Sequence, residues 1–222
     1  MNENLSFMSN SIYKRQETLN NKLNSFLVQI TGVKKDYVSM LSNENFVSLK
    51  YELSDINNLV TQKVGLAFID YVCKLFKLTK NERDEIITKF DSTKPNTNGF
   101  NIDFVNKHLQ ILAEIKSTAP MNQGDRFGIG QINSILDDAI KLISGGKKAI
   151  DTSNAYKFIG ILDVGEPTNI ALETVFKHRS LKVPHELRQK RNLVKERLIL
   201  LDNPTSFKLL SKENIYVVKI SI

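Results

Sequence analysis

Cysteine is nearly absent: Cys73 is the only one in 222 residues. No internal disulfide is possible, and no thiolate cluster can hold a metal. The thiol sits in an apolar helical stretch, Tyr71-Val-Cys-Lys-Leu-Phe76, and reads as a packing residue. Histidine is scarce too, and the scatter of His108, His178 and His185 argues against a zinc centre. No run of about 18 apolar residues occurs, so no membrane-spanning helix is expected. The N-terminus, Met1-Asn-Glu-Asn-Leu-Ser6, has no basic region followed by an apolar stretch. No secretory signal is therefore expected, and a reducing cytoplasm is the expected location. Internal repeats and low-complexity tracts are lacking as well.

What is present is an ordinary globular composition, 41% hydrophobic and 25% charged, in a chain long enough to bury a real core. The net charge is +7. It is concentrated, because Lys177 to Arg197 holds eight Lys or Arg against two Glu. A localised basic stripe points to a phosphate backbone better than a uniform excess does.

The 3-4 spacing of Leu19, Leu23, Phe26, Leu27 and Ile30 predicts a helix over about 12–30, stopped at Thr31-Gly32. A second helical stretch covers about 34–50. Ser54 is the expected N-cap of a helix over 54–77, with Val60, Val64, Phe68, Tyr71, Val72, Leu75 and Phe76 on its apolar face. Gly65 inside it implies close approach of another backbone. A short helix over 79–90 and a polar loop over 91–99 lead to two strand-like runs, Phe100–Asn106 and Leu109–Ser117, with Lys107-His108 as a turn. After a polar loop, Asp125 is the expected cap of a helix over 126–143. Its expected face is Ile129, Ile132, Leu136, Ile140 and Ile143, and Gly145-Gly146 ends it. Asp137-Asp138 reads as a solvated face of that helix. The apolar run Lys157–Asp163 predicts a central strand buried on both faces. A turn at Val164–Thr168, a basic helix over 184–201 and a final strand over 215–220 complete the chain. The order implies an α/β fold with a mixed sheet, divided into an N-terminal helical arm at 1–50 and a core at 51–222.

Glu114 and Lys116 stand two apart on an apolar strand, so both point to one face. Such charges are costly on that surface unless they do something. A hairpin brings Asp103 to the same strand ends. Two converging carboxylates suit a hard divalent cation, most readily Mg²⁺, and a nearby lysine can orient water or stabilise charge on a phosphate. The alternative is a salt bridge between Glu114 and Lys116 on an edge strand, with Asp103 a turn residue.

Ile102-Asp103, ten residues, then Glu114-Ile-Lys116 resembles the motif of the PD-(D/E)XK nuclease superfamily, whose largest branch is the type II restriction endonucleases. Ile102 stands where that motif has Pro. The resemblance covers about residues 54–165. It implies a restriction-endonuclease-like mixed sheet flanked by helices, preceded here by the helical extension. It implies that Asp103 and Glu114 ligate Mg²⁺ with the Ile115 carbonyl, and that Lys116 positions the attacking water. An acidic residue on the first helix is common in such enzymes; Asp70 and Glu52 are the nearest candidates, and neither aligns well. The expected activity is site-specific cleavage of double-stranded DNA by a homodimer, with a separate DNA methyltransferase in the same system. A repair or junction-resolving nuclease, or a non-catalytic DNA-binding protein on the same fold, are the alternatives. Candidate DNA contacts are Gln123, Arg126 and Gln131 around the loop after the catalytic strand, and Lys177, Arg179, Lys182, Arg188, Lys190 and Arg191 in the basic stripe.

Overall fold

The computed structural model describes residues 3–92, 99–120, 126–146, 150–176, 184–201 and 207–222, with side chains from residue 13 onward. The chain divides into two compact units, Met1–Ile56 and Asn57–Ile222.

The first unit is helical. α1 spans Glu3–Thr31 and ends at Gly32, whose φ of +69° is open to glycine without steric cost. The stretch expected as one helix over 34–50 is instead α2 (Tyr37–Met40), capped by Asp36, and the start of α3 (Asn43–Phe76). Ser54 does not begin a helix. α3 runs unbroken through it because nothing nearby breaks the backbone pattern, and its first turn is met earlier, where Ser42 Oγ accepts from Asn45 N.

The second unit is a three-layer α/β structure built on a five-stranded mixed sheet in the order β1-β2-β3-β5-β4. The strands are β1 (Ile102–Val105), β2 (Gln110–Lys116), β3 (Tyr156–Leu162), β4 (Leu198–Leu200) and β5 (Ile215–Ile220). β1 and β2 form an antiparallel hairpin, and β2, β3, β5 and β4 run parallel. β3 lies at the centre and is buried along nearly its whole length, as its unbroken apolar run requires.

The C-terminal half of α3 and α4 (Lys80–Ser92) cover one face, with Phe68, Val72 and Ile86 packed on Ile111, Ala113, Ile115 and Phe158. α4 starts with a reciprocal cap: Thr79 N donates to Glu82 Oε2 (2.8 Å) and Glu82 N to Thr79 Oγ1 (3.3 Å). α5 (Ile129–Ser144), α6 (Glu166–Phe176) and α7 (His185–Val194) cover the other face over Leu112, Ile159 and Val217. Gly65 is approached by a ring and not by backbone, since an added Cβ would lie 2.1 Å from Phe90 Cζ. At Gly160 in β3 the same Cβ would meet Phe68 Cδ2 at 2.9 Å.

Three other expectations change. The helix expected over 184–201 ends at Val194, and Leu198–Leu200 is the edge strand β4, paired with β5. α6 replaces the turn expected after β3; Pro167 falls in its first turn, where a missing N–H costs nothing. The N-cap of α5 is Gly128, whose N–H is taken by Gln131 Oε1 at 2.8 Å; Asp125 lies outside the described residues. The buried face of α5 is Ile132, Ile135, Leu136, Ala139 and Leu142, while Ile129 is exposed.

Candidate active site

The site is built on the β1–β2 hairpin. Its turn is closed by Asn106, whose Oδ1 accepts from His108 N (2.9 Å) and Leu109 N (2.8 Å). Asn106 Nδ2 donates to Glu82 Oε1 at 2.7 Å, which fastens the turn to α4. The register pairs Ile102 with Ala113 and Asp103 with Leu112. Alternation then sends Ile111, Ala113 and Ile115 to the α3 face, and Leu112, Glu114 and Lys116 to the α5 face. Asp103 shares that face and is a diagonal neighbour of Glu114, an arrangement that sets residues about 7 Å apart. Ile115 N leaves the ladder and donates to Asn101 Oδ1 at 2.8 Å. The carbonyl of a strand residue lies on the same strand edge as its N–H, so the Ile115 carbonyl faces the side where β1 has ended.

Glu114 and Lys116 do not pair with each other. Each is met by a residue of α5. Lys141 Nζ forms an ion pair and hydrogen bond with Glu114 Oε1, and also donates to Gly99 O at 2.6 Å. Lys116 Nζ lies 2.7 Å from Asp138 Oδ2 and donates to Ser134 Oγ at 2.8 Å. The side chains of Glu114 and Asp138 are 7% and 14% exposed. Burial therefore dominates their titration. It pushes the Glu114 carboxyl up to about 7, with the Asp138 charge adding and Lys141 opposing. Burial raises Asp138 too, against the pull of Lys116. Asp138 is thus not a solvated face residue. Asp137 beside it is half-exposed and contacts Lys190 Nζ at 2.8 Å.

Asp103 is more open. Lys89 Nζ donates to its backbone carbonyl at 2.5 Å and lies 3.8 Å from its Oδ2. The hairpin thus sets Asp103, Glu114 and Lys116 on one face of two neighbouring strands, with the Ile115 carbonyl at the strand edge between them, and α5 adds Ser134, Asp138 and Lys141 beside Glu114 and Lys116. These last three recur at 4-3 spacing beside the apolar face of α5. That polar stripe was the signal that could have found them. Asp70 is held by Arg83 Nε at 2.7 Å, and Glu52 lies in the first unit.

The expected DNA contacts have varied fates. Gln123, Lys177, Arg179 and Lys182 lie outside the described residues. Arg126 is exposed just before α5, and Arg188 is exposed on α7. Gln131 braces the loop: Oε1 takes Gly128 N–H and Nε2 donates to Ala119 O at 3.0 Å. Lys190 is tied to Asp137, to Glu186 at 3.3 Å and to Asn133 Oδ1 at 2.9 Å, so it pins α7 to α5. Arg191 is 4% exposed and donates to Thr174 O at 3.0 Å, which spends it inside the fold.

Among the described residues no helix is long and apolar enough to cross a membrane. Comparison with family models, with curated proteins and with solved structures finds no match to this chain.

Proposed function

We propose that this chain is a Mg²⁺-dependent endonuclease that hydrolyses phosphodiester bonds in double-stranded DNA at a specific short sequence, with a restriction-endonuclease-like core. One observation carries the reading. Glu114 is a buried charge and Lys116 a partly buried one on one face of β2, and Asp103 stands on the same face of its hairpin partner. Buried ion pairs gain little over apolar side chains of the same volume, so two of them side by side on this face favour a role beyond packing.

The donor set suits the metal. Asp103, Glu114 and the Ile115 carbonyl offer hard oxygens; among the described residues no group of three or more His, Cys, Asp or Glu that could hold a metal ion occurs, so the ion would rest on these two carboxylates. Mg²⁺ typically rests on one or two carboxylates and keeps waters and substrate phosphate as its other ligands. When bound, it would supply an activated water and neutralise charge on the phosphate. The chain's own residues do the rest. Asp138 and Ser134 orient the Lys116 side chain on the face where Glu114 lies, so it can position water or meet a phosphate oxygen. Lys141 keeps Glu114 compensated and offers a second cation once that carboxylate turns to another partner. Arg188 and Arg126 are the exposed candidates for the DNA backbone. Cutting both strands calls for two copies, and self-protection calls for a separate methyltransferase.

A second reading is a DNA-binding protein that does not cut. It draws on one feature, that Glu114 and Asp138 each already have a lysine.

Plasmid cleavage with Mg²⁺ against EDTA separates the two, repeated with Glu114→Ala and Lys116→Ala. Discrete fragments from the wild type, lost in EDTA and in both variants, are the expected result. No cutting by the wild type, or equal cutting by the variants, overturns the nuclease assignment. Salt-dependent DNA binding indifferent to Mg²⁺ then favours the second reading.

A further inference from the structure

The fold holds a second buried charge that Glu114 and Lys116 do not engage. Lys157 lies near the start of β3, alternates with Ile159 onto the α5 side of the sheet, and is only 5% exposed. Its Nζ donates to Lys212 O at 2.6 Å and to Ala155 O at 3.2 Å. Among the described residues it meets no carboxylate in an ion pair. Two carbonyls occupy two of its three N–H groups and leave the charge uncompensated. Burial accordingly pulls this ammonium below the usual lysine range, with Glu213 opposing and Arg197 adding to the pull. Lys157 lines an open cavity of about 370 Å³ together with Ser144, Ser153 and Arg197. That volume falls within the range of small-molecule sites, about 300–1,000 Å³. The cavity stands at the other end of the sheet from Lys116. Ser134 of α5 meets Lys116, and Ser144 reaches the cavity about 15 Å further along the same helix.

The lining chooses the ligand. Arg197 is exposed at the rim, and its side chain makes no hydrogen bond or ion pair among the described residues. The two carboxylates of the lining leave Lys157 its charge: Asp151 Oδ1 accepts from Ser153 N at 2.9 Å, and Glu213 is exposed. The last carbonyls of α5 do not oppose an anion here, because Lys141 O accepts from Gly145 N at 3.0 Å and Ile143 O from Thr152 Oγ1 at 2.8 Å. A lysine and an arginine together match the charge of about −1.5 to −2 on a phosphate monoester better than that of a single carboxylate. Its three oxygens can take the free Lys157 N–H, the Arg197 fork and the hydroxyls of Ser144 and Ser153. We propose that this cavity is a binding site for a small phosphate monoester of mononucleotide size, whose phosphate group sits between Lys157 and Arg197. It stands independently of the role of Glu114 and Lys116.

Titration calorimetry on the full chain, without added metal and at constant ionic strength, tests this with adenosine monophosphate, inorganic phosphate and adenosine. The monophosphate should bind once per chain, inorganic phosphate should compete with it, and adenosine should not bind. Lys157→Met and Arg197→Gln should each weaken the monophosphate about tenfold or more, the loss of one charged hydrogen bond. Lys63→Gln, at an exposed lysine of α3, should leave it unchanged. If Lys157→Met does not fold, Arg197→Gln at the exposed rim carries the same expectation. No saturable binding at millimolar monophosphate overturns the proposal. So does binding that both cavity variants retain, or that Lys63→Gln weakens equally. A short DNA duplex bound through Arg197 while the monophosphate is ignored overturns it too.

Discussion

Replacing Lys141 by Met tests whether Glu114 is a buried, reluctantly ionised carboxyl. Methionine keeps the length of the stem, so the change removes charge more than volume. In the wild type, burial pushes Glu114 up to about 7 from an ordinary 4.5. Between those values the folded chain holds a proton that the unfolded chain has lost, so folding stability falls as pH rises through that window. The span corresponds to about 3 kcal/mol, the destabilisation fully present above pH 7. Lys141 limits that loss by compensating the carboxylate. At pH 8 the variant must either keep an ionised Glu114 without its cation or bind a proton there, and breaking a buried pair costs about 3–5 kcal/mol before that relief. Lys141 is a quarter exposed, so water reaches the gap and about 2–3 kcal/mol is the better expectation. At pH 5.5 Glu114 is protonated and the ion pair is already gone, so only the hydrogen bonds donated by Lys141 are lost, including the one to Gly99 O, at about 1 kcal/mol. Urea unfolding at both pH values measures the difference. K141M should be worse at pH 8 by about 1–2 kcal/mol, and adding Glu114→Gln should erase that pH dependence. Equal destabilisation at the two pH values, or a pH slope that survives E114Q, would refute the reasoning.

Two further outcomes follow from the core. Gly160→Ala should destabilise by about 1–3 kcal/mol in chemical denaturation, because its Cβ meets Phe68 at 2.9 Å and Ile115 Cδ1 at 3.1 Å; an unchanged midpoint would mean that β3 and α3 are not in close contact. Cys73 is buried and its thiol is pushed above its usual range by that burial, so a thiol reagent should react with it only on unfolding; rapid labelling of the native chain at pH 8 would place α3 differently.

The sheet was legible where local pattern and long-range role agree. The β-branched alternation of β2, the turn at Lys107-His108 and the double-faced apolar run of β3 carry their environment in their own residues. β4 was not legible, because Leu198 and Leu201 continue the 3-4 rhythm of α7, and only pairing with β5 makes the segment a strand. α6 was hidden by Gly165 and Pro167, which mark a turn as readily as a helix start. At the site, shared orientation of Glu114 and Lys116 was readable from alternation alone. Their partners were not, because Ile129, Ile140 and Ile143 keep the same helical spacing as the residues that dock. Rotated to the observed Ile135, Ala139 and Leu142, the helix has Asp138 and Lys141 beside its buried line. Which helix face docks is decided by the sheet it meets, a contact that no single helix encodes.

The connectivity of the sheet also orders events in time. The β1–β2 hairpin closes locally, from Val105 to Gln110, whereas Glu114 must find Ile159 across 45 residues and Ile159 must find Val217 across 58. Loop closure over such spans is slower than hairpin formation. Glu114 and Lys116 therefore belong to the strand pair with the shortest loop to close, but their counter-ions sit on α5 and arrive with the crossover to β3. Until then both charges remain hydrated. The cost of dehydrating them falls on the late step of folding, and substitutions there should alter how fast the finished chain opens more than how fast it first collapses.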